Sequence, residues 1–193
     1  MMKKQIIQHI DNLIKTLEIT KKDTSILEKI SNLLIKKIKN KKKIFVYGNG
    51  GSYADSSHFV GELTATYKKK RKPLPFILLG SNMASVSAWA NDFRNDLYIS
   101  RELSGYGNTG DLLIVLSTSG GNIKKKQSTN LIKLAKVARQ KKITLISFLG
   151  RNGGALKKIS NINYIVKSNY TATIQETHKT LLHSICEIID KRI

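Results

Sequence analysis

Apolar residues recur along this chain at two different periods. Between residues 3 and 19, Ile6, Ile10, Leu13, Ile14 and Leu17 fall three or four apart, the spacing of one helical face. Asp23-Thr24-Ser25 then signals a second helix, with Glu28 placed three after Ser25 as in a capping box. Its stripe is Ile26, Leu27, Ile30, Leu33, Leu34 and Ile38. From Lys43 the pattern changes to short continuous apolar runs at 44–47, 76–79, 112–116, 143–149 and 164–166. Helix-like segments lie between them, near 53–66, 83–92, 122–140 and 153–159, and a final helix covers about 173–192. Fully apolar strands alternating with helices predict a parallel sheet covered on both faces. The expected fold is α/β: a three-layer α/β/α sandwich on a parallel five-stranded sheet, preceded by a helical hairpin. One domain spans 1–193, with the hairpin in 1–40 and the α/β core with its C-terminal helix in 41–193.

Composition sharpens this. The chain has 193 residues, which suits a single domain, and 34 Lys+Arg against 13 Asp+Glu give a net charge of +21. Such a charge raises the question of a nucleic-acid partner. Yet the dense runs at 36–43 and 68–72 sit at predicted helix ends, where the dipole favours lysine, and no aromatic ladder accompanies them. Solvated loops are the expectation for both runs, and no specific nucleic acid is expected. Lys124-Lys125-Lys126 differs, because it follows a small-residue loop and could raise the local concentration of an anion. The single cysteine, Cys186, excludes a disulfide framework and a Cys-based zinc site. No apolar run approaches the ~18 residues of a membrane span. The start Met1-Met2-Lys3-Lys4 leads into no signal-peptide core, so a soluble cytoplasmic protein without a membrane partner is expected.

Two strand ends carry small polar residues where a helix should begin. They are Gly48-Asn49-Gly50-Gly51-Ser52 and Ser117-Thr118-Ser119-Gly120. Free backbone N–H groups and a helix dipole favour an anion there. A dinucleotide fingerprint fails at Tyr53, and no Walker motif exists, so a small phosphorylated ligand fits better. A tight turn with hydroxyl caps is the plain structural alternative. In the helix that follows, His58 and Glu62 are four apart, about 6 Å along the axis and on one face. They are either a surface pair or two ligands of a metal. Gln175, His178 and His183 on the last helix are further candidates.

These residues carry a resemblance. Phe45-Val46-Tyr47-Gly48-Asn49-Gly50-Gly51-Ser52, then His58-Phe59 and Glu62-Leu63-Thr64, resemble the phosphoheptose isomerases of the sugar-isomerase (SIS) domain superfamily. So do Asn91-Asp92-Phe93, Gly110-Asp111, Ser117-Thr118-Ser119-Gly120, and Ile174-Gln175-Glu176 with His178 and His183. The likeness spans nearly the whole chain. It implies a SIS-type, flavodoxin-like fold, a homotetramer with sites at subunit interfaces, and interconversion of sedoheptulose 7-phosphate and D-glycero-D-manno-heptose 7-phosphate. That step opens nucleotide-activated heptose synthesis for surface polysaccharide. It implies zinc, with His58, Glu62, Gln175 and His183 as ligands. Asn49, Gly50, Gly51, Asn91 and Asp92 would contact the sugar, with Ser52 beside them, and Ser117, Thr118 and Ser119 would hold phosphate.

The family's Ser-Thr-Ser-Gly-Asn-Ser reads here Ser117-Thr118-Ser119-Gly120-Gly121-Asn122, so Asn122 would stand in for the last serine. Ala172 replaces an Asp, Thr66 an Arg and Arg94 a Gly, which leaves the exact sugar open. Isomerisation through an enediol needs a base, which Glu62 fits, and a proton shuttle, which His183 fits. A non-catalytic SIS tetramer that binds the replication initiator lacks both groups. A SIS isomerase for a pentose or hexose phosphate remains the other alternative. Gln175 and His183 are eight apart, about 12 Å along one helix and ~80° around it. Either Gln175 precedes the helix, or the two serve one metal from different subunits.

Overall fold

The computed structural model describes residues 1–93 and 95–193. Two helices, α1 (Met2–Lys21) and α2 (Ser25–Lys39), precede β1 (Ile44–Gly48) and α3 (Gly51–Thr64). Then follow β2 (Phe76–Leu78), α4 (Met83–Asp92), a short 3₁₀ turn (Asn95–Leu97) and α5 (Tyr98–Tyr106). The second half runs β3 (Leu112–Ser117), α6 (Thr129–Gln140), β4 (Thr144–Leu149), α7 (Leu156–Ile159), β5 (Ile162–Ile165) and α8 (Thr171–Arg192). The five strands are all parallel, in the order β2-β1-β3-β4-β5. The expected three-layer sandwich is what forms.

Strand alternation assigns the two faces. Ile44 and Val46 of β1, with Leu112, Ile114 and Leu116 of β3, point into a core shared with α2, α3 and α8. Phe45, Leu113 and Val115 point the other way, onto α5 and α6. Every residue of β3 is buried, which is why its sequence reads as an unbroken apolar run.

The second helix starts without the expected capping box. Its Ser25 N–H instead reaches the carboxylate of Asp23, at 3.3 Å. The helix expected from 122 starts at Thr129, because residues 122–127 close a tight hairpin. Asn122 and Gln127 exchange backbone hydrogen bonds of 2.9 Å in both directions. Gly120, Gly121, Lys126 and Ser128 hold positive φ there, which helical hydrogen bonding cannot pass through. Helix α5 was not anticipated. The α1 stripe packs only in part: Ile6, Ile10 and Ile14 stay exposed, while α1 rests on α8, where His9 meets Glu176 at 2.9 Å. No described helix is long and apolar enough to cross a membrane.

The basic runs are partly structural. Lys37 donates to the Gly110 carbonyl at 2.5 Å, and burial lowers its amine's pKa. Arg71, expected in a solvated loop, is buried against Asp190 at 2.8 Å. Its guanidinium also donates to the Leu63 and Glu62 carbonyls, each at 2.9 Å, closing the end of α3.

Candidate active site

Strand order places the site. β1 and β3 are neighbours, with Gly48 opposite Leu116, but the chain leaves them for opposite faces of the sheet. A crevice opens where the connections diverge, at the carboxyl ends of the strands. Both small-residue loops lie there. Gly48 is required: a Cβ on it would come within 2.6 Å of the Ser52 carbonyl oxygen. Gly50 turns the chain into α3 with φ +54°. The two loops are tied by a reciprocal amide pair, Asn49 to Asn130 at 3.0 Å and Asn130 to Asn49 at 2.7 Å. Ser52 is buried, with its N–H on the Asn49 carbonyl at 3.0 Å. In the second loop, Ser117 Oγ accepts from Gly120 N–H at 3.0 Å and Ser119 Oγ from Gly121 N–H at 3.3 Å. Thr118 between them is half-buried.

Helices α3 and α8 both start at carboxyl ends of strands and run side by side in the same direction. Three rungs join them. Gly51 faces Gln175, Asp55 meets Lys179 at 3.4 Å, and His58 faces His183. Burial raises the pKa of Asp55, against the opposing pull of Lys179. At the third rung His58 Nε2 lies 2.9 Å from Glu62 Oε1, and the His58 and His183 rings meet edge to face at 5.1 Å. Tyr67 also stacks on His183, with centroids 6.0 Å apart. One donor atom from each of His58, Glu62 and His183 fits within 4.8 Å of the others. Two imidazoles and a carboxylate at that separation are a ligand set suited to a divalent metal such as zinc, with a position left open. A surface pair would need only His58 and Glu62; His183, from another helix, is what turns them into a cluster.

The structure separates Gln175 from that cluster within one chain. Both Gln175 and His183 belong to the single helix α8, which starts at Thr171, so Gln175 does not precede the helix. Asn91 and Asp92 end α4, exposed and bonded to each other at 2.8 Å, and Asp92 lines a separate cavity with Trp89 and Arg101. Arg94, one of the departures from the family pattern, lies outside the described residues. Asn122 is exposed in the hairpin, where its side chain accepts from Lys125 N–H at 3.0 Å. Half-buried Ser128, immediately before α6, is the hydroxyl at the helix entrance. His178 is fully buried. Its Nε2 lies 3.1 Å from the Leu149 carbonyl oxygen, and burial lowers its pKa to about 4. It belongs to the core.

Residues 7–150 match the SIS domain family. A phosphoheptose isomerase of Aliarcobacter butzleri is 39% identical over 190 residues, covering 98% of this chain and 96% of that protein. A probable phosphoheptose isomerase of Thermoplasma acidophilum is 41% identical over 167 residues, covering 86% of each. This chain belongs to the phosphoheptose isomerase family. A solved phosphoheptose isomerase from Francisella tularensis superposes with a TM-score of 0.91 at 27% identity, over 99% of both chains. One from Neisseria gonorrhoeae gives 0.89 at 28% identity, over 99% of this chain and 100% of that one. Within a phosphoheptose isomerase scaffold, Tyr67 and Asp55 are the neighbours of the cluster that sequence reasoning missed.

Proposed function

We propose that this chain is an aldose–ketose isomerase that interconverts sedoheptulose 7-phosphate and D-glycero-D-manno-heptose 7-phosphate. The reaction would open nucleotide-activated heptose synthesis for surface polysaccharide, in the cytoplasm. The observation that carries the reading is the meeting of Glu62 with His58 and His183 on adjacent helices beside the switch-point crevice. Moving a proton between neighbouring carbons needs one base over that carbon pair and one group that exchanges hydroxyl protons. Glu62 is the base in this reading, and His183, steadied by Tyr67, is the shuttle. The presence of both groups speaks for an enzyme over a non-catalytic binding relative. Ser117, Thr118 and Ser119, with Ser52, take the phosphate. Asn49, Gly50, Gly51, Asn91, Asp92 and Gln175 take the sugar hydroxyls.

His58, Glu62 and His183 would hold one zinc ion per subunit, with Gln175 of a second copy as the fourth ligand. A divalent ion there supplies positive charge to stabilise an enediolate. The chain acts as one SIS domain over 1–193 and assembles as a homotetramer with shared sites. Two features support assembly: the exposed Ile6, Ile10 and Ile14 of α1, and the absence of any buried residue in α4.

The test is an assay with five-, six- and seven-carbon ketose phosphates, with and without chelator. Turnover of sedoheptulose 7-phosphate that chelator removes is expected. Glu62→Gln and His183→Ala should each lower kcat by about 10²–10⁴ with an unchanged fold. Turnover of only a shorter sugar phosphate would overturn the substrate. No turnover of any ketose phosphate by zinc-supplied protein would overturn the reading.

A further inference from the structure

Beside the phosphate loop, on the β4 side, a cavity of about 810 Å³ lies between the 122–127 hairpin and the turn after β4. Lys124 and Lys125 line it from the hairpin, Arg151 and Lys158 from the opposite wall, Ser119 of the phosphate loop borders it, and no carboxylate among the described residues lines it. Among the described residues none of these four cations makes an ion pair; Arg151 donates to the Thr171 hydroxyl at 3.2 Å. Four like charges around one hollow repel one another, and an anion between them relieves that repulsion.

The walls are held together. Leu156 N–H donates to the Gly120 carbonyl at 2.9 Å and Ala155 N–H to the Gly121 carbonyl at 3.0 Å. A Cβ on Gly154 would fall 2.6 Å from the Gly120 carbonyl carbon, so the two loops meet backbone to backbone. Arg151, in the cavity wall, keeps a positive φ of 54° without being glycine. Such backbone costs of order 1–3 kcal/mol and collects where side chains must be aimed.

We propose that this cavity, which borders the Ser117–Ser119 loop at Ser119, is a second anion site that takes a small molecule carrying two phosphoryl groups. Charge argues for two: four uncompensated cations exceed what one phosphate neutralises. Size argues for an organic carrier, since the volume lies in the range of small-molecule sites, ~300–1,000 Å³. Ile159 and Ala155 offer apolar wall, and Asn152 and Asn169 offer amides to hydroxyls or a base edge. None of the four cations is among the residues assigned above to the sugar, the phosphate or the metal.

Calorimetric titration of the full chain at low salt tests it, with inorganic pyrophosphate, ADP and fructose 1,6-bisphosphate as probes. At least one probe should bind saturably, with one site per chain. The pairs Lys124→Ala/Lys125→Ala and Arg151→Ala/Lys158→Ala should each weaken it about tenfold or more, as lost charged hydrogen bonds do. The exposed pair Lys69→Ala/Lys70→Ala removes the same charge and should leave binding nearly unchanged. Equal weakening by that distal pair would reduce the effect to bulk charge and overturn the proposal. So would saturable binding of none of the probes, or of long polyanions such as heparin alone. Binding abolished by Ser117→Ala yet untouched by the two cavity pairs would assign it to the phosphate loop instead.

Discussion

Gln175 stands directly against Gly51, so that a Cβ on Gly51 would overlap the Gln175 carboxamide. The overlapping atoms end a flexible side chain, and Gly51 is the first residue of α3, where alanine suits the helix better than glycine by up to about 1 kcal/mol. Gly51→Ala should therefore keep or slightly raise the Tm while pushing Gln175 aside. If Gln175 touches substrate, kcat/KM should fall by about tenfold to a hundredfold, the scale of an ångström's misplacement. A lowered Tm with full activity would count against that role.

The same contact fixes Gln175 two helical turns from the cluster at His58. A metal that takes both Gln175 and His183 must then draw them from two copies of the chain. Inactive Gln175→Ala and His183→Ala proteins, mixed and allowed to exchange subunits, should regain activity. Random pairing restores roughly a quarter of the sites. No recovery after exchange is verified by mass spectrometry would sink the shared site.

Strand positions were legible because β1, β3 and β4 are buried at nearly every position, on both faces, and so read as almost continuous apolar runs. Helix α5 was missed because only Tyr98, Ile99, Ser100 and Leu103 of its nine residues are buried, too short a stripe to read in advance. The hairpin misled for another reason. Residues 122–127 carry side chains that a helix tolerates, and it is the backbone at Gly120, Gly121, Lys126 and Ser128 that forbids one. At the site, motif residues on one helix were readable, as with His58 and Glu62. Contacts between elements, such as His58 on His183 and Tyr67 of the loop after α3 on the same ring, follow from how α3 and α8 pack and leave no spacing to detect.

Arg71 and Asp190 form a buried pair that ties the loop after α3 to the end of α8. Burial alone would raise the Asp190 pKa; hydrogen bonds from Arg71 and from the Lys68 and Lys69 N–H groups outweigh it and hold the pKa below the usual value. Removing one partner leaves the other charge stranded, at about 3–5 kcal/mol. Arg71→Met should lose about that much in urea denaturation and free the end of α3 that carries Glu62. A loss below about 1 kcal/mol would show that the pair is solvated.

His178 makes stability depend on pH. Its folded pKa, about 4, lies below the 6.5 of an unfolded histidine, so the unfolded chain binds the proton first. The contribution is complete above pH 6.5, is lost as pH falls towards 4, and changes no further below that. The span corresponds to roughly 3 kcal/mol. Burial raises the pKa of Asp55 and Glu102, whose contributions run in the opposite direction as pH falls, so the comparison must be with a variant. His178→Gln keeps a donor for the Leu149 carbonyl but cannot charge. It should lower the Tm at pH 7.5 and flatten its decline between pH 6.5 and 4; parallel declines in the two proteins would place the titration elsewhere.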